Sequence, residues 1–318
     1  MIEKIKKSFS YLEIPDFTNQ IFLLVLTIIV VINYRSFESW YMIVIVNIII
    51  NIATIYFIQR YEAKSGENKE KSFVSKVIRF WYPVFMILLF FKEIYLIMIN
   101  LKPVFYDDIL IQIDKAVFGV NPTQFLFGFA NPFVTEFLQI IYIIFYLMPA
   151  IFGLELFLWK RYDEYKYCTF LIFFGFYLSF IGYMILPAIG PRFTLHIFHN
   201  LENDLPGIFM TDFLRAIINF GESIPKDMLN PEKVAQRDAF PSGHTEIMVI
   251  ITYVSRKFKS KSFYFYLPYT ILLIASTIYL RYHYVVDVVA GIIFAIITIV
   301  TANWIYSINR NKIKSTEQ

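Results

Sequence analysis

One cysteine and four histidines stand among 318 residues, and charged side chains make up only 17% of the chain. The lone thiol, Cys168, cannot close an intramolecular disulfide, and neither dithiol redox chemistry nor a cysteine metal centre is expected of it. Its place in an apolar run marks it as a small buried hydrophobe. The net charge of +4 is modest; it carries information through its distribution and does not signal a nucleic-acid partner. No internal repeat or low-complexity segment is visible. No small-x-small cleavage site follows the first apolar run, which Glu3 and a polar segment through Asn19 hold back from Lys4, Lys6 and Lys7. Residues 20–34 are therefore expected to be a retained first span and not a cleaved signal.

What the chain has in excess is apolar mass, 58% hydrophobic and 19% aromatic, beyond the balance of soluble domains. The excess lies in long uninterrupted runs, as in an integral membrane protein. About eight spans are expected, over 20–34, 40–58, 80–99, 137–159, 167–189, 244–258, 263–280 and 286–306. Each is long enough, or nearly so, for a hydrocarbon core of about 30 Å at about 1.5 Å per helical residue. The fold class expected is all-α, a polytopic transmembrane bundle. The sixth run is the shortest and spans only if its start sits at the interface.

The basic residues sort to one side of such a bundle. Arg60, Lys64, Lys69, Lys71, Lys76 and Arg79 share one loop, and Lys160, Arg161 and Lys166 a second. Arg256, Lys257, Lys259 and Lys261 follow, then Arg310, Lys312 and Lys314. With eight spans all of these fall on the side of Lys4, Lys6 and Lys7. Positive charge marks the cytoplasmic face, so both termini are expected there. The opposite loops, 100–136 with Asp107, Asp108 and Asp114, and 190–243, are longer and mixed in charge. Residues 109–133, apolar but broken by Gly, Asn and Pro, read as short interfacial helices or as a simple connector. The 190–243 loop is long enough to be functional. The tail after Arg310 is expected to lack regular structure.

Three stretches meet on the non-cytoplasmic face: LPAIGPRF (186–193), FPSGHTE (240–246) and LRYHYVVDVVAG (280–291). His283 and Asp287 are spaced to share one helix face. A carboxylate on one imidazole nitrogen fixes the tautomer and leaves the other nitrogen to act as base or nucleophile; an interfacial salt bridge is the plainer alternative. Ser242 and Gly243 open a helix whose free amides and positive end suit a phosphate. Ordinary capping by the same residues, with Glu246 in the first turn, is compatible with that. His244 faces whatever this helix end binds. Arg192, after Gly190 and Pro191, presents a guanidinium suited to an oxyanion or to a lipid headgroup. Together two histidines, an arginine and a helix N-terminus form a constellation for phosphoryl transfer. No carboxylate cluster points to a catalytic metal, and His196 and His199 lack a further ligand in sequence. No metal or other cofactor is expected.

These residues resemble the type 2 phosphatidic acid phosphatase superfamily, whose motifs run Lys-x6-Arg-Pro, Pro-Ser-Gly-His and Ser-Arg-x5-His-x3-Asp. The second is intact at Pro241, Ser242, Gly243 and His244. The third has Ser276, His283 and Asp287 in register but Thr277 in place of arginine. The first is degenerate, with Arg192 preceded by proline and Ile185 in the lysine position. The pattern is also similar to the inositolphosphotransferase and sphingolipid-synthase branch. The resemblance implies a six-span catalytic core over 80–306. It is preceded by residues 1–79, a cytoplasmic segment with two additional spans and a basic loop, and followed by a cytoplasmic tail, 307–318.

By the same resemblance His283 is the nucleophile, Asp287 orients it, and His244 is the general acid. Ser242, the Gly243 amide and Arg192 hold the phosphate. Arg281 and Arg237 are further candidates for the missing cations, although Arg281 on a regular helix points away from His283. Glu246 is a third candidate, either capping its helix or selecting an acceptor. The expected function is metal-independent phosphoryl transfer from a lipid phosphate, with hydrolysis as the first reading. Transfer of a phospho-headgroup to a lipid alcohol is the alternative. A transporter or scaffold without catalysis is the rival of another class, disfavoured because the polar residues gather at span ends and not at mid-membrane.

Overall fold

A computed structural model describes residues 11–63, 72–101, 103–226 and 228–316, with side chains as far as 308. Glu3, Lys4, Lys6, Lys7, Lys64, Lys69 and Lys71 lie outside these residues, as do the side chains of Arg310, Lys312 and Lys314. Among the described residues every regular element is a helix, and the only extended pairing is an isolated bridge between Ala188 and Asp238. The chain is an all-α helical bundle. It divides into two compact units, Met1–Lys102 and Pro103–Gln318.

The first unit holds α1 (Ile14–Ile32), α2 (Trp40–Ala63) and α3 (Phe73–Leu101). Helix α1 starts earlier than its apolar run because Pro15 opens it and Glu13 and Asp16 form a reciprocal cap, the arrangement that satisfies orphan amides at a helix start. Asp16 also takes a two-pronged bond from buried Arg79, at 2.9 and 2.7 Å, and the Tyr82 hydroxyl. Deeper in the bundle Asn47 donates to Glu93 at 2.7 Å and to Thr27 at 3.1 Å. Polar groups so placed are tolerated in apolar surroundings only when paired.

The second unit runs through α4 (Asp107–Phe118), α5 (Pro122–Phe127), α6 (Pro132–Ile144), α7 (Met148–Leu158) and α8 (Tyr162–Ile185). It continues with α9 (Pro191–Thr194), α10 (Leu201–Asp204), α11 (Thr211–Gly221), α12 (Gly243–Lys257), α13 (Phe263–Tyr279) and α14 (Val285–Thr316). A single 3-10 turn at Phe145–Leu147 joins α6 to α7, so the two read as one rod. Helix α12 lies at the centre, packed against α8, α13 and α14. Gly291 of α14 allows this closeness: a Cβ there would fall 2.5 Å from the Ser242 carbonyl oxygen, the small-residue contact that lets apolar helices approach. Outward, α14 shows Ile292, Ile293, Ile296, Ile297 and Val300, an exposed apolar face of the kind that lipid covers.

Helices occur at all eight expected positions, and among the described residues six stretches are long and apolar enough to cross a membrane. Helix α12 has 15 residues and α13 has 17, about 22 and 26 Å of rise, which keeps them below that length. The stretch 109–133 does hold two short helices, α4 and α5, and 190–243 holds three more. One correction concerns the tail: the α14 backbone stays helical to Thr316 and does not lose regular structure after Arg310.

Helix α4 braces one end of the second unit. Its apolar side chains Ile109, Ile113, Val117 and Phe118 are exposed, while Asp107, Leu110 and Asp114 are buried along the opposite stripe. The Asp107 carboxylate accepts from the Ile189 amide at 3.1 Å, the Gly190 amide at 2.9 Å and the Tyr284 hydroxyl at 2.9 Å. Asp114 accepts from the amides of Val285 and Val286 at 2.8 and 2.9 Å, capping α14 from outside its own sequence. Burial pushes both carboxyls above their ordinary value, and these bonds oppose the shift. Replacing Asp114 by Ala is expected to cost about 1–2 kcal/mol and to lower the midpoint of thermal unfolding in detergent. Asp108→Ala, at an exposed neighbour, should leave the midpoint in place; equal losses would count against the brace.

Candidate active site

Helix α13 ends at Tyr279, and the next residues turn sharply to reach α14. The Thr277 carbonyl accepts the amides of both Tyr282 and His283, at 2.9 and 3.1 Å, while Arg281 takes a left-handed φ of 67°. This is the usual way a helix end satisfies its last carbonyls. The Thr277 hydroxyl bonds back to Ile274 O at 2.8 Å, so the residue in the arginine position of the motif serves its own helix. His283 therefore lies outside any helix, and the expected helical face shared by His283 and Asp287 is replaced by a loop closing onto a helix start.

Two imidazoles meet at this turn. His283 Nε2 lies 3.4 Å from His244 Nδ1, with ring centres 5.5 Å apart. His283 Nδ1 is 2.8 Å from the Ala239 carbonyl oxygen. A carbonyl can only accept, so Nδ1 carries the proton and Nε2 presents its lone pair to His244. Asp287 is farther from Nδ1, at 3.5 Å. Its Oδ2 accepts the Tyr284 amide at 2.8 Å, so this carboxyl caps the start of α14 as well as facing the histidine. The backbone at Ala239 thus meets His283 Nδ1 at closer range than the carboxyl of Asp287, the group expected to orient it. Ala239 is itself fixed, its amide donating to Ala188 O at 3.1 Å.

Ser242 caps α12, accepting from the Thr245 amide at 3.3 Å and the Thr245 hydroxyl at 3.1 Å. Its own amide donates to Asp287 O at 2.9 Å. The amides of Gly243 and His244 are the first-turn donors that a helix start leaves for an external acceptor. Gly243 has a second reason to lack a side chain: a Cβ would stand 2.5 Å from the Tyr183 hydroxyl. His244 sits among aromatic rings, 4.6 Å from Tyr142 and 4.4 Å from Phe145, with Tyr146 edge-on at 5.9 Å.

Arg192 reaches the same turn. Its amide donates to Arg281 O at 3.0 Å, and its guanidinium lies over Tyr282 at 4.8 Å and Phe193 at 4.7 Å. Tyr282 in turn stacks on Tyr142 at 4.1 Å, so aromatic faces link Arg192 to His244. Gly190, two residues earlier, has φ 91°, and a Cβ there would meet the Tyr282 carbonyl oxygen at 2.7 Å. Only glycine fits that position.

The remaining candidates point elsewhere. Arg281 is fully buried, bonds Asp204 at 2.7 Å and lies over Phe127 at 5.0 Å. Arg237 donates to the carbonyls of Ala235 and Lys233 in its own loop, at 3.1 and 3.3 Å. Glu246 is buried between helices, accepting from Ser179 and, at 3.0 Å, from Thr298; it joins α8, α12 and α14. His196 bonds Thr123 at 3.2 Å, and His199 is 3.5 Å from Leu229 O.

Sequence reasoning missed Asp107, Asp114, Tyr142, Tyr282 and Glu222. Asp107 and Asp114 carried a usable signal, since two acids seven apart on an apolar helix share one face. Glu222, which pairs with Arg192, carried none.

Burial holds the His283 imidazole down at about 4, with nearby Arg192 acting the same way and Asp238 and the Ala239 carbonyl acting against it. The folded chain thus binds this proton less readily than the unfolded chain. Its contribution to stability is complete above about 6.5 and is lost as pH falls from there towards about 4. Thermal unfolding of the wild type and of His283→Asn, followed against pH, should show the wild type losing ground across that window; a constant difference would contradict a desolvated His283.

A family model described as the PAP2 superfamily matches residues 108–301, well over half of the chain. Neither the curated proteins nor the solved structures give a match.

Proposed function

The chain belongs to the PAP2 superfamily, whose members are in general phosphatases and phosphotransferases acting on lipid phosphates, and on that premise we propose that it transfers a phosphoryl group from a membrane lipid through His283. The observation that carries this reading is the histidine pair, with the Nε2 lone pair of His283 turned towards His244 by the bond from Nδ1 to Ala239.

In this reading the nitrogens, in contact at 3.4 Å, part to admit the phosphate. His283 Nε2 attacks phosphorus, the phosphorus–oxygen bond to the leaving group breaks, and His244, entering this step as the imidazolium, donates its proton to the departing oxygen. The first-turn amides at Gly243 and His244, with Arg192, take the non-bridging oxygens. Ser242 holds that helix start in place. Asp287 and Ala239 hold His283. In the second half His244 removes a proton from the acceptor, which attacks the phosphohistidine and frees His283. Water as acceptor gives hydrolysis, the first reading. A lipid alcohol gives headgroup transfer, and one observation favours that second reading. The buried arginines at this turn are matched by acids, Arg192 by Glu222 and Arg281 by Asp204, which suits a singly charged phosphodiester better than a doubly charged monoester.

Residues 80–306 are proposed as the catalytic core. The site belongs on the non-cytoplasmic side with both termini opposite. Support comes from the far end of the second unit, where Arg161 bonds Phe258 O at 2.7 Å and Lys257 bonds Asn303 at 2.8 Å; the basic loops gather there, as cytoplasmic loops do.

The test is a substrate screen with purified enzyme in sealed vesicles. Labelled phosphatidate, a polyprenyl diphosphate and a phosphodiester lipid are supplied with and without a lipid alcohol. Turnover of at least one is expected, confined to the leaflet opposite the termini. His283→Ala should lower it by about 10³-fold or more and His244→Ala by about 10²–10⁴-fold. Phosphate release from a monoester without acceptor would count against the transferase; full activity of His283→Ala would sink both.

A further inference from the structure

Arg192 is buried, and its guanidinium is not an open cation. It forms an ion pair with Glu222, and Asn219 lies 3.4 Å from its Nη1. Glu222 is only 9% exposed, which distinguishes the pair from a solvent-screened surface bridge. Its position is built in. Glu222 directly follows α11, and its amide donates to Ile218 O at 2.9 Å. At the other end of α11, one Glu136 oxygen accepts the amides of Ile208, Phe209 and Met210, at 2.8, 2.6 and 2.9 Å. Leu214, Arg215 and Ile218 bury one side of the helix between these anchors. The acid therefore arrives at Arg192 on a helix fixed at both ends.

A guanidinium paired with a carboxylate keeps its directional donors, and the carboxylate offsets part of its positive field. Among the described residues, the charged and titratable groups facing Arg192 include His283, Tyr282, Tyr142 and Tyr146, with Asp238 beside them; Arg215, which reaches Tyr282 from the other side, is held by Leu205 O and Asp212. His283 is neutral near pH 7, because burial holds it low, so none of these groups supplies a compensating cation. In a poorly solvated site a second negative charge on the ligand would then be repelled by Glu222 with little screening by solvent.

We propose that Glu222 is a specificity-determining residue: it sets the charge of the phosphate seat so that a phosphoryl group bearing one negative charge, a phosphodiester, is accepted, and a dianionic phosphomonoester is rejected. The assignment rests on the phosphotransfer reading above for its consequence in turnover, but not for its effect on binding. Rejection by a placed like charge is a common route to selectivity, since discrimination needs a penalty for the wrong ligand as well as contacts for the right one.

The test compares full-length wild type, Glu222→Gln and Glu222→Asp in two measurements. In the first, kcat/KM is measured for a phosphodiester lipid and for phosphatidate near neutral pH. Glu222→Gln should raise the monoester relative to the diester by at least about 10-fold, and Glu222→Asp, which keeps the charge, should stay near the wild-type ratio. In the second, which needs no turnover, inorganic phosphate is titrated while thermal unfolding is followed on either side of its second ionisation. The wild type should be stabilised more on the acid side, where the anion carries one charge, and Glu222→Gln more on the alkaline side. An unchanged ratio, an equal loss of both substrates in Glu222→Gln, or no stabilisation by phosphate at either pH would overturn the proposal. If the binding preference inverts while the wild type turns over neither lipid, the phosphotransfer reading fails and the charge assignment stands.

Discussion

The site depends on one constraint: where membrane helices break, their backbone amides must find acceptors away from water. Three breaks converge here, after α8, before α12 and between α13 and α14. Asp107 takes the amides of Ile189 and Gly190, and Asp114 those of Val285 and Val286. Asp287 takes Tyr284, and the Asp287 carbonyl takes Ser242. Carboxylates from α4 and α14 thus tie together segments separated by more than a hundred residues. The geometry around the two histidines follows from these bonds. The Ala188 carbonyl fixes Ala239, Ala239 turns His283, and Asp287 binds the backbone at the cap of α12, one residue before Gly243 and two before His244.

Much of this is legible in the sequence because of strong local signals. Long apolar runs locate every major helix, and Pro-Ser-Gly-His before a run marks a helix start with a free N-terminus. What the sequence could not show is pairing across space. His283 and Asp287 satisfy helical spacing, yet the helix begins only at Val285, because the Thr277 carbonyl captures the amides of Tyr282 and His283 first. Arg281 looks like a free cation by composition and proves fully buried against Asp204. Glu246, two residues from His244, could have faced the same ligand; helical geometry instead turns it towards Ser179 and Thr298. The acid that meets Arg192 stands thirty positions away, at the end of α11. No local pattern announces it.

The electrostatics of the site follow the same logic of local matching. Burying a charge in apolar surroundings is costly unless it is paired, and the arginines near the histidines obey this with Glu222, Asp204 and backbone carbonyls. His283 escapes the cost because burial keeps it neutral, which leaves its Nε2 with a lone pair to use. For the proposed transfer, such an aromatic-lined setting leaves charge on phosphorus to be met by directional donors, the first-turn amides and Arg192. Amides at a helix start are suited to that role because their orientation is fixed before the ligand arrives.

The central claim is that His283 carries the phosphoryl group. Rapid quenching of the enzyme with a lipid substrate labelled at phosphorus, followed by peptide mapping under alkaline conditions that preserve phosphohistidine, tests it most directly. Label on the peptide containing His283, absent from His283→Ala and prolonged in His244→Ala, is the predicted result. Turnover without label on that peptide, or label that persists in His283→Ala, would contradict the account.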